Sequence, residues 1–346
     1  MMLKSFLKWF FTIFFLLIFF LLYNSIYFDI PRDEIENKYA KPPSDFIILD
    51  DGSRIHYRDE GNPNGPTIFL LHGFTSSLFS FEKLTPLINQ EYRIISFDFP
   101  GFGLTGAVPN RDYSFEALLK TVKKMKNKLE VENFTILGHS MGGRVAWYYA
   151  AQNPNEIDGL IIIGSGVIAD NDDLKKVKEN TGDPIIFDLL RTDFPFKNQL
   201  LYITPRFFAS QGAKTAIFDH TLVTDELVTQ YHEIALLEGS RMAFGDMMSG
   251  INDEDFLDDI DLLKSIESPT LVIHGEKDNL VSLWSVDYFI KNIAQAEYKL
   301  YPNIGHFPVY ENPLQSASDI NKFLLSLKRS LKKYYYHAAL KSKIGF

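Results

Sequence analysis

The sequence predicts an α/β fold, a doubly wound and mainly parallel sheet with helices on both faces. Three observations predict it. Short, almost wholly apolar runs recur at 67–71, 93–97, 134–137, 159–163, 270–273 and 298–301. Continuous apolar runs of this length mark strands buried on both sides, as parallel sheets require. Between them lie helical stretches, such as 115–129 with Leu118, Leu119, Val122 and Met125 on one stripe, and a helix from 144 to 151. The composition, 46% hydrophobic and 23% charged over 346 residues, supports a large core and excludes general disorder.

The elements follow in order. Residues 46–49, the Asp50-Asp51-Gly52 turn and residues 54–57 read as a hairpin. The buried strands and helices come next, and the alternation breaks at 167–259. That stretch is rich in helix formers and in aromatics, including Phe187, Phe194, Phe196, Tyr202, Phe207 and Phe208. It reads as a mostly helical insertion between two strands. The division expected is an N-terminal anchor at 1–28, a linker at 29–44 carrying prolines 31, 42 and 43, and a core at 45–166 and 260–328. The insertion at 167–259 and a basic tail at 329–346 complete it.

Residues 9–28 carry few polar groups, namely Thr12, Asn24, Ser25 and the tyrosines. About 20 helical residues at about 1.5 Å each reach across a hydrocarbon core of about 30 Å. Lys4 and Lys8 precede the run, while Asp29, Asp33, Glu34 and Glu36 follow it. The expectation is a single-pass transmembrane helix with the body on the extracytoplasmic side. The rival readings are a cleaved signal peptide, for which 24–27 offers a poor site, and a buried helix.

The net charge of −9 argues against nucleic acid as a partner. The chain has no cysteine, which excludes disulfides, thiolate catalysis and cysteine-held metals. Oligomeric state is not legible.

The strongest chemical signal is Gly138-His139-Ser140-Met141-Gly142-Gly143, after an apolar strand and before a helix. A serine on such a strand-to-helix turn is a nucleophile elbow, and Gly138 and Gly142 leave room for strand and helix to approach. The rival reading is a glycine-rich helix entry made for packing. A serine needs a base. His306, in the Gly305-His306-Phe307 loop after the last strand, is the candidate; a capping or buried role is its rival. His139 neighbours the serine as a supporting residue, His56 falls on a strand, and His220, His232 and His337 lie in helical or tail contexts. The base needs an acid, for which Asp278 stands directly after a strand and Glu276 is the rival. An oxyanion would be held by the backbone N–H of Met141 and of Phe74, with Gly73 allowing the tight turn.

Together these pieces resemble the α/β-hydrolase fold superfamily, in its serine-hydrolase branch. The matching segments are His72-Gly73-Phe74, Asp98-Phe99-Pro100-Gly101-Phe102-Gly103, the Ser140 elbow, Gly275-Glu276-Lys277-Asp278 and Gly305-His306, in the family's order over 45–328. The resemblance implies a mainly parallel eight-stranded sheet with the insertion as a cap, and a structural role for 98–103. Epoxide hydrolases and haloalkane dehalogenases look similar but carry aspartate at the elbow, so the serine disfavours both. Esterases, monoacylglycerol-type lipases, C–C bond hydrolases and haloperoxidase-like members remain. The expectation is hydrolysis of carboxylic esters, lipid-like or with an apolar acyl group, with no metal and no cofactor. The substrate would be a small ester, and the anchor would keep the enzyme near a membrane. C–C hydrolysis with the same residues is the first alternative; it suits an exported, anchored body badly, because its substrates arise in the cytoplasm. A non-catalytic binding module is the second, and the complete Ser-Asp-His set argues against it. Lys328, Arg329, Lys332, Lys333, Lys341 and Lys343 either solvate a helix end or touch anionic lipid.

Overall fold

The computed structural model describes residues 2–181, 189–192 and 195–344, with side chains at 5–17, 19–20, 23–179, 189–192, 195–252 and 254–328. An eight-stranded sheet has the order β1-β2-β4-β3-β5-β6-β7-β8. The strands are β1 (Ser44–Ile48), β2 (Arg54–Gly61), β3 (Thr67–Leu71), β4 (Arg93–Phe97), β5 (Phe134–His139), β6 (Ile157–Ile163), β7 (Thr270–Gly275) and β8 (Ala296–Tyr301). β2 runs antiparallel to β1 and β4, and the remaining neighbours are parallel.

Side-chain alternation along the central strands builds a core on each face. In β3, Phe69 and Leu71 join one cluster while Ile68 and Leu70 join the other. Both sets are fully buried. Each such side chain contributes about 1.5–3 kcal/mol, which fixes the strand register. Helices α3 (Phe115–Lys128) and α4 (Met141–Gln152) supply Leu118, Val122, Val145 and Trp147 to the first cluster. The long C-terminal helix, Pro313–Ile344, supplies Ile320, Phe323 and Leu324 to the second.

The N-terminal expectation is corrected. Helix α1 (Met2–Tyr23) ends before the predicted apolar run does. Ile26 forms a bridge with Ile203, and the Tyr27 N–H donates to the Tyr202 carbonyl at 2.9 Å. After Lys8 the helix holds about 15 residues, or about 22 Å, short of a hydrocarbon core of about 30 Å. Among the described residues no helix is long and apolar enough to cross a membrane. The single-pass anchor and the extracytoplasmic placement of the body are therefore not supported.

The stretch read as a linker contains helix α2 (Arg32–Tyr39), whose Ile35 is buried. Arg32 donates to the carbonyls of Leu104 (2.8 Å) and Thr105 (3.3 Å), and Lys38 pairs with Glu233 at 2.5 Å. Upstream, the largely buried Arg241 pairs with Asp29 and donates to the Tyr27 carbonyl at 2.7 Å. Asp29→Ala would leave that guanidinium without its carboxylate. It is expected to destabilise the protein by about 2 kcal/mol, a Tm fall of about 4 °C read by calorimetry. An unchanged Tm would mean that this contact is slack.

Between β6 and β7 the described residues form helices, including α5 (Asn171–Thr181), α6 (Arg206–Ala216), α7 (Asp225–Ala235) and α8 (Ser240–Gly250). Phe196 and Phe207 are 73% and 62% exposed, Phe208 is exposed too, and Tyr202 lies beneath the Arg241 guanidinium at 4.6 Å. Phe187 and Phe194 lie outside the described residues. At the other end, the expected tail continues the C-terminal helix. Lys328 pairs with Glu91 at 2.7 Å, and the tail side chains beyond it, with His337, lie outside the described residues.

Candidate active site

The predicted catalytic residues and the 72–74 turn lie just past the C-terminal ends of strands, where open α/β sheets hold their ligands. Ser140 follows β5, His72-Gly73-Phe74 follows β3, Asp278 follows β7, and His306 follows β8. The order of strands sets the loops after β3 and β5 side by side, with those after β7 and β8 beyond β6.

Ser140 has φ 55° and ψ −120°, a conformation that costs a non-glycine residue about 1–3 kcal/mol. It begins α4, and its N–H donates to the Ile163 carbonyl at 2.8 Å. The surroundings enforce the turn. A Cβ on Gly138 would stand 2.0 Å from the Gly142 carbonyl oxygen, and one on Gly142 would stand 2.2 Å from that of Leu71. Neither position tolerates a side chain. Ser140 Oγ has no hydrogen-bond partner among the described residues.

His306 and Asp278 are brought together. His306 Nδ1 lies 2.8 Å from Asp278 Oδ2. The other carboxylate oxygen accepts from the N–H groups of Leu280 (2.8 Å) and Val281 (2.9 Å). Burial alone would push the Asp278 carboxyl up. The charge and hydrogen bond of His306, the charge of His274 and the Val281 N–H outweigh it and hold the group below its ordinary value. Since Asp278 accepts, His306 Nδ1 carries the proton and Nε2 is left as the basic atom. Glu276, the rival acid, is exposed and lies 3.7 Å from Lys277.

His139 is buried and does not face solvent. Its Nε2 donates to the His306 carbonyl at 2.7 Å, and its ring lies 4.7 Å from that of His306 and 4.2 Å from Phe307. Burial, and then the nearby His306 charge, lower its pKa to about 3. Phe74 packs on Phe102 and on Phe244 of α8. The Phe74 and Met141 N–H groups have no acceptor among the described residues. Among the described residues no metal-binding cluster exists.

Sequence reasoning missed three partners. Glu311 accepts from Gly305 (3.0 Å) and Phe307 (3.3 Å) on either side of His306, and from Phe218 (2.8 Å) in the inserted segment. His274 lies 3.4 Å from Asp278 while donating to the Val281 carbonyl at 3.0 Å. Buried His56 pairs with buried Asp98 at 2.7 Å, and Asp98 also accepts from Leu78 and Leu104, both at 2.7 Å. The position of Asp98 at a strand end was the available signal. The 98–103 run thus holds the turn beside the site in place.

Three buried histidines give the fold an acid limit. Burial lowers the pKa of His72, His139 and His274 below 6.5. Unfolded, each binds a proton near pH 6.5; folded, each takes one up only at lower pH. The unfolded state therefore holds more protons below pH 6.5, and stability falls as pH falls, for His139 down to about pH 3. Each histidine adds up to about 1.4 kcal/mol per pH unit. Tm should be flat between pH 7 and 8 and fall steeply towards pH 5. A Tm unchanged at pH 5 would contradict the buried, neutral assignment.

The fold and the position of these loops define the class: the chain belongs to the α/β-hydrolase family. A family model described as alpha/beta hydrolase fold matches residues 66–313. The chain is 29% identical over 279 residues to an uncharacterized hydrolase, YugF, of Bacillus subtilis, covering 79% of this chain and 95% of that one. It is 26% identical to a 2-hydroxy-6-oxononadienedioate/2-hydroxy-6-oxononatrienedioate hydrolase of Cupriavidus pinatubonensis (78% and 91% covered). It is 25% identical to the human monoacylglycerol lipase ABHD6 (78% and 79%). A meta-cleavage product hydrolase from Pseudomonas fluorescens has the same fold, with TM-score 0.68 at 22% identity over 82% of this chain and 97% of that one.

Proposed function

We propose that this hydrolase cleaves carboxylic esters through an acyl-Ser140 intermediate. The observation that carries the reading is the His306–Asp278 hydrogen bond at the strand ends that also bear the strained Ser140. His306 Nε2 takes the Ser140 proton as Oγ attacks the ester carbon. The tetrahedral oxyanion is held by the N–H groups of Phe74 and Met141. Collapse breaks the C–O bond, and His306 returns the proton to the departing alcohol. Water, deprotonated by His306, then releases the acid and restores Ser140. Asp278 keeps His306 in the Nδ1–H tautomer and balances its charge. No metal or cofactor enters these steps.

An apolar acyl group is favoured by the surroundings of Phe74, which packs on Phe102, on Phe244 and on the cluster of Leu201 and Met248. The helical stretch between β6 and β7 is taken as the cap, since its α6 end reaches the site: the His306 N–H donates to the Ala216 carbonyl at 2.7 Å. Arg144, one turn into α4, is neutralised by Asp258 at 2.7 Å, so it is not available to a substrate carboxylate.

C–C bond hydrolysis remains the second reading, favoured by the likeness to the Cupriavidus hydrolase. The objection from an exported body has gone with the anchor. Kinetics on p-nitrophenyl esters of graded acyl length, beside a vinylogous 1,5-diketone acid, separate the two. The ester reading predicts kcat/KM rising with acyl length and at least 100-fold above the diketone. Preference for the diketone would replace it.

A further inference from the structure

We infer that His72 is a positioning residue that aims the Phe74 N–H at the oxyanion, through the peptide unit it shares with Gly73. The inference rests on the Ser140 reading and adds to it how one of the two donors is oriented.

His72 is fully buried at the end of β3. Its Nε2 lies 3.0 Å from the Phe99 backbone nitrogen, and its Nδ1 lies 2.8 Å from the Gly73 carbonyl oxygen. A backbone N–H can only donate, so Nε2 must accept from Phe99. The single ring proton is then on Nδ1, which donates to Gly73. A charged ring would set two donors face to face at Phe99. Burial acts in the same direction, lowering the His72 pKa against the opposing pull of Asp98.

The consequence follows from peptide geometry. In a planar trans peptide the C=O and the next N–H point in opposite directions. Pinning the Gly73 oxygen to His72 Nδ1, with the Ser76 N–H adding a second bond at 3.3 Å, turns the Phe74 N–H the other way. That N–H has no acceptor among the described residues. The side on which Ser140 stands is close: a Cβ on Gly73 would come 3.0 Å from Ser140 Cβ. The ring itself is braced. Phe99 and Phe102 pack edge-on to it at 5.2 and 5.6 Å, and Phe99 follows Asp98, whose carboxylate is held by His56. A chain of contacts from His56 through Asp98, Phe99 and His72 ends on one main-chain donor.

Two substitutions separate positioning from packing. His72→Asn places an amide N–H near the Nδ1 position and keeps the bond to Gly73, while losing Phe99. His72→Gln places an oxygen near the Nε2 position and keeps Phe99, while losing Gly73. Both disturb the core to a similar degree. Steady-state kinetics on a p-nitrophenyl ester should show kcat reduced about 100-fold in the Gln variant, the size of one lost oxyanion donor, with KM within twofold. The Asn variant should stay within about tenfold of wild type. Equal losses in the two folded variants, or an unaffected Gln variant, would overturn the inference. If neither variant folds, nitrogen-15 NMR of the wild-type imidazoles decides. An Nδ1–H His72 at pH 7 supports the inference and an Nε2–H His72 overturns it. Wild-type labelling by a fluorophosphonate, lost in Ser140→Ala, checks the underlying reading separately.

Discussion

Asp278→Asn is expected to lower kcat by about 10⁴-fold while leaving KM nearly unchanged. The reason is a tautomer. An Asp278 carboxylate can only accept, so it holds the His306 proton on Nδ1 and leaves Nε2 basic. Asn places an amide whose N–H can face Nδ1, which moves the ring proton to Nε2 and removes the base. The Leu280 and Val281 N–H groups donate to Oδ1 and so require an oxygen there, which fixes which end of the Asn faces the ring. With the amide oxygen held there, its NH₂ is presented to His306. Glu276→Gln, by contrast, alters an exposed group and should leave kcat within twofold. Equal effects from the two would return the choice between the acids to the open state in which the sequence left it.

Ser140→Ala is expected to lower kcat by about 10⁶-fold. The hydroxyl has no hydrogen-bond partner among the described residues, so its loss removes chemistry and little stability. Tm should stay within about 1 °C. Ser140→Gly should be equally inactive but more stable, because glycine adopts φ 55° without penalty; a rise of about 2 °C is expected from about 1 kcal/mol. Inactivity with unchanged or raised Tm is the signature of strain held for function.

Much of this site was legible in the sequence because its needs are local. The elbow requires small residues two before and two after the serine, and Gly138 and Gly142 announce it. The strands around it are continuous apolar runs, so Phe134, Leu137 and Ile163 mark themselves. His306 and Asp278 were singled out by their places after strands, and the structure brings the two together. What stayed hidden depends on contacts between distant segments. Glu311 binds loops through Phe218, and His72 finds Phe99, with nothing in either neighbourhood to announce the pairing. The aromatics of the insertion gave no guide for a different reason. Phe196, Phe207 and Phe208 were counted without a periodicity, and a count cannot say which face a side chain takes. The N-terminal run misled because hydropathy continues through 24–28 although the backbone leaves the helix at Tyr23 to pair with residues 202 and 203.

The central claim is that Ser140 is the nucleophile. The most direct measurement is to react the full chain with a fluorophosphonate and locate the adduct by peptide mass spectrometry. The account predicts one phosphonyl group, on Ser140, with esterase activity lost in proportion to labelling. An adduct on another residue, or turnover that survives in Ser140→Ala, would contradict it.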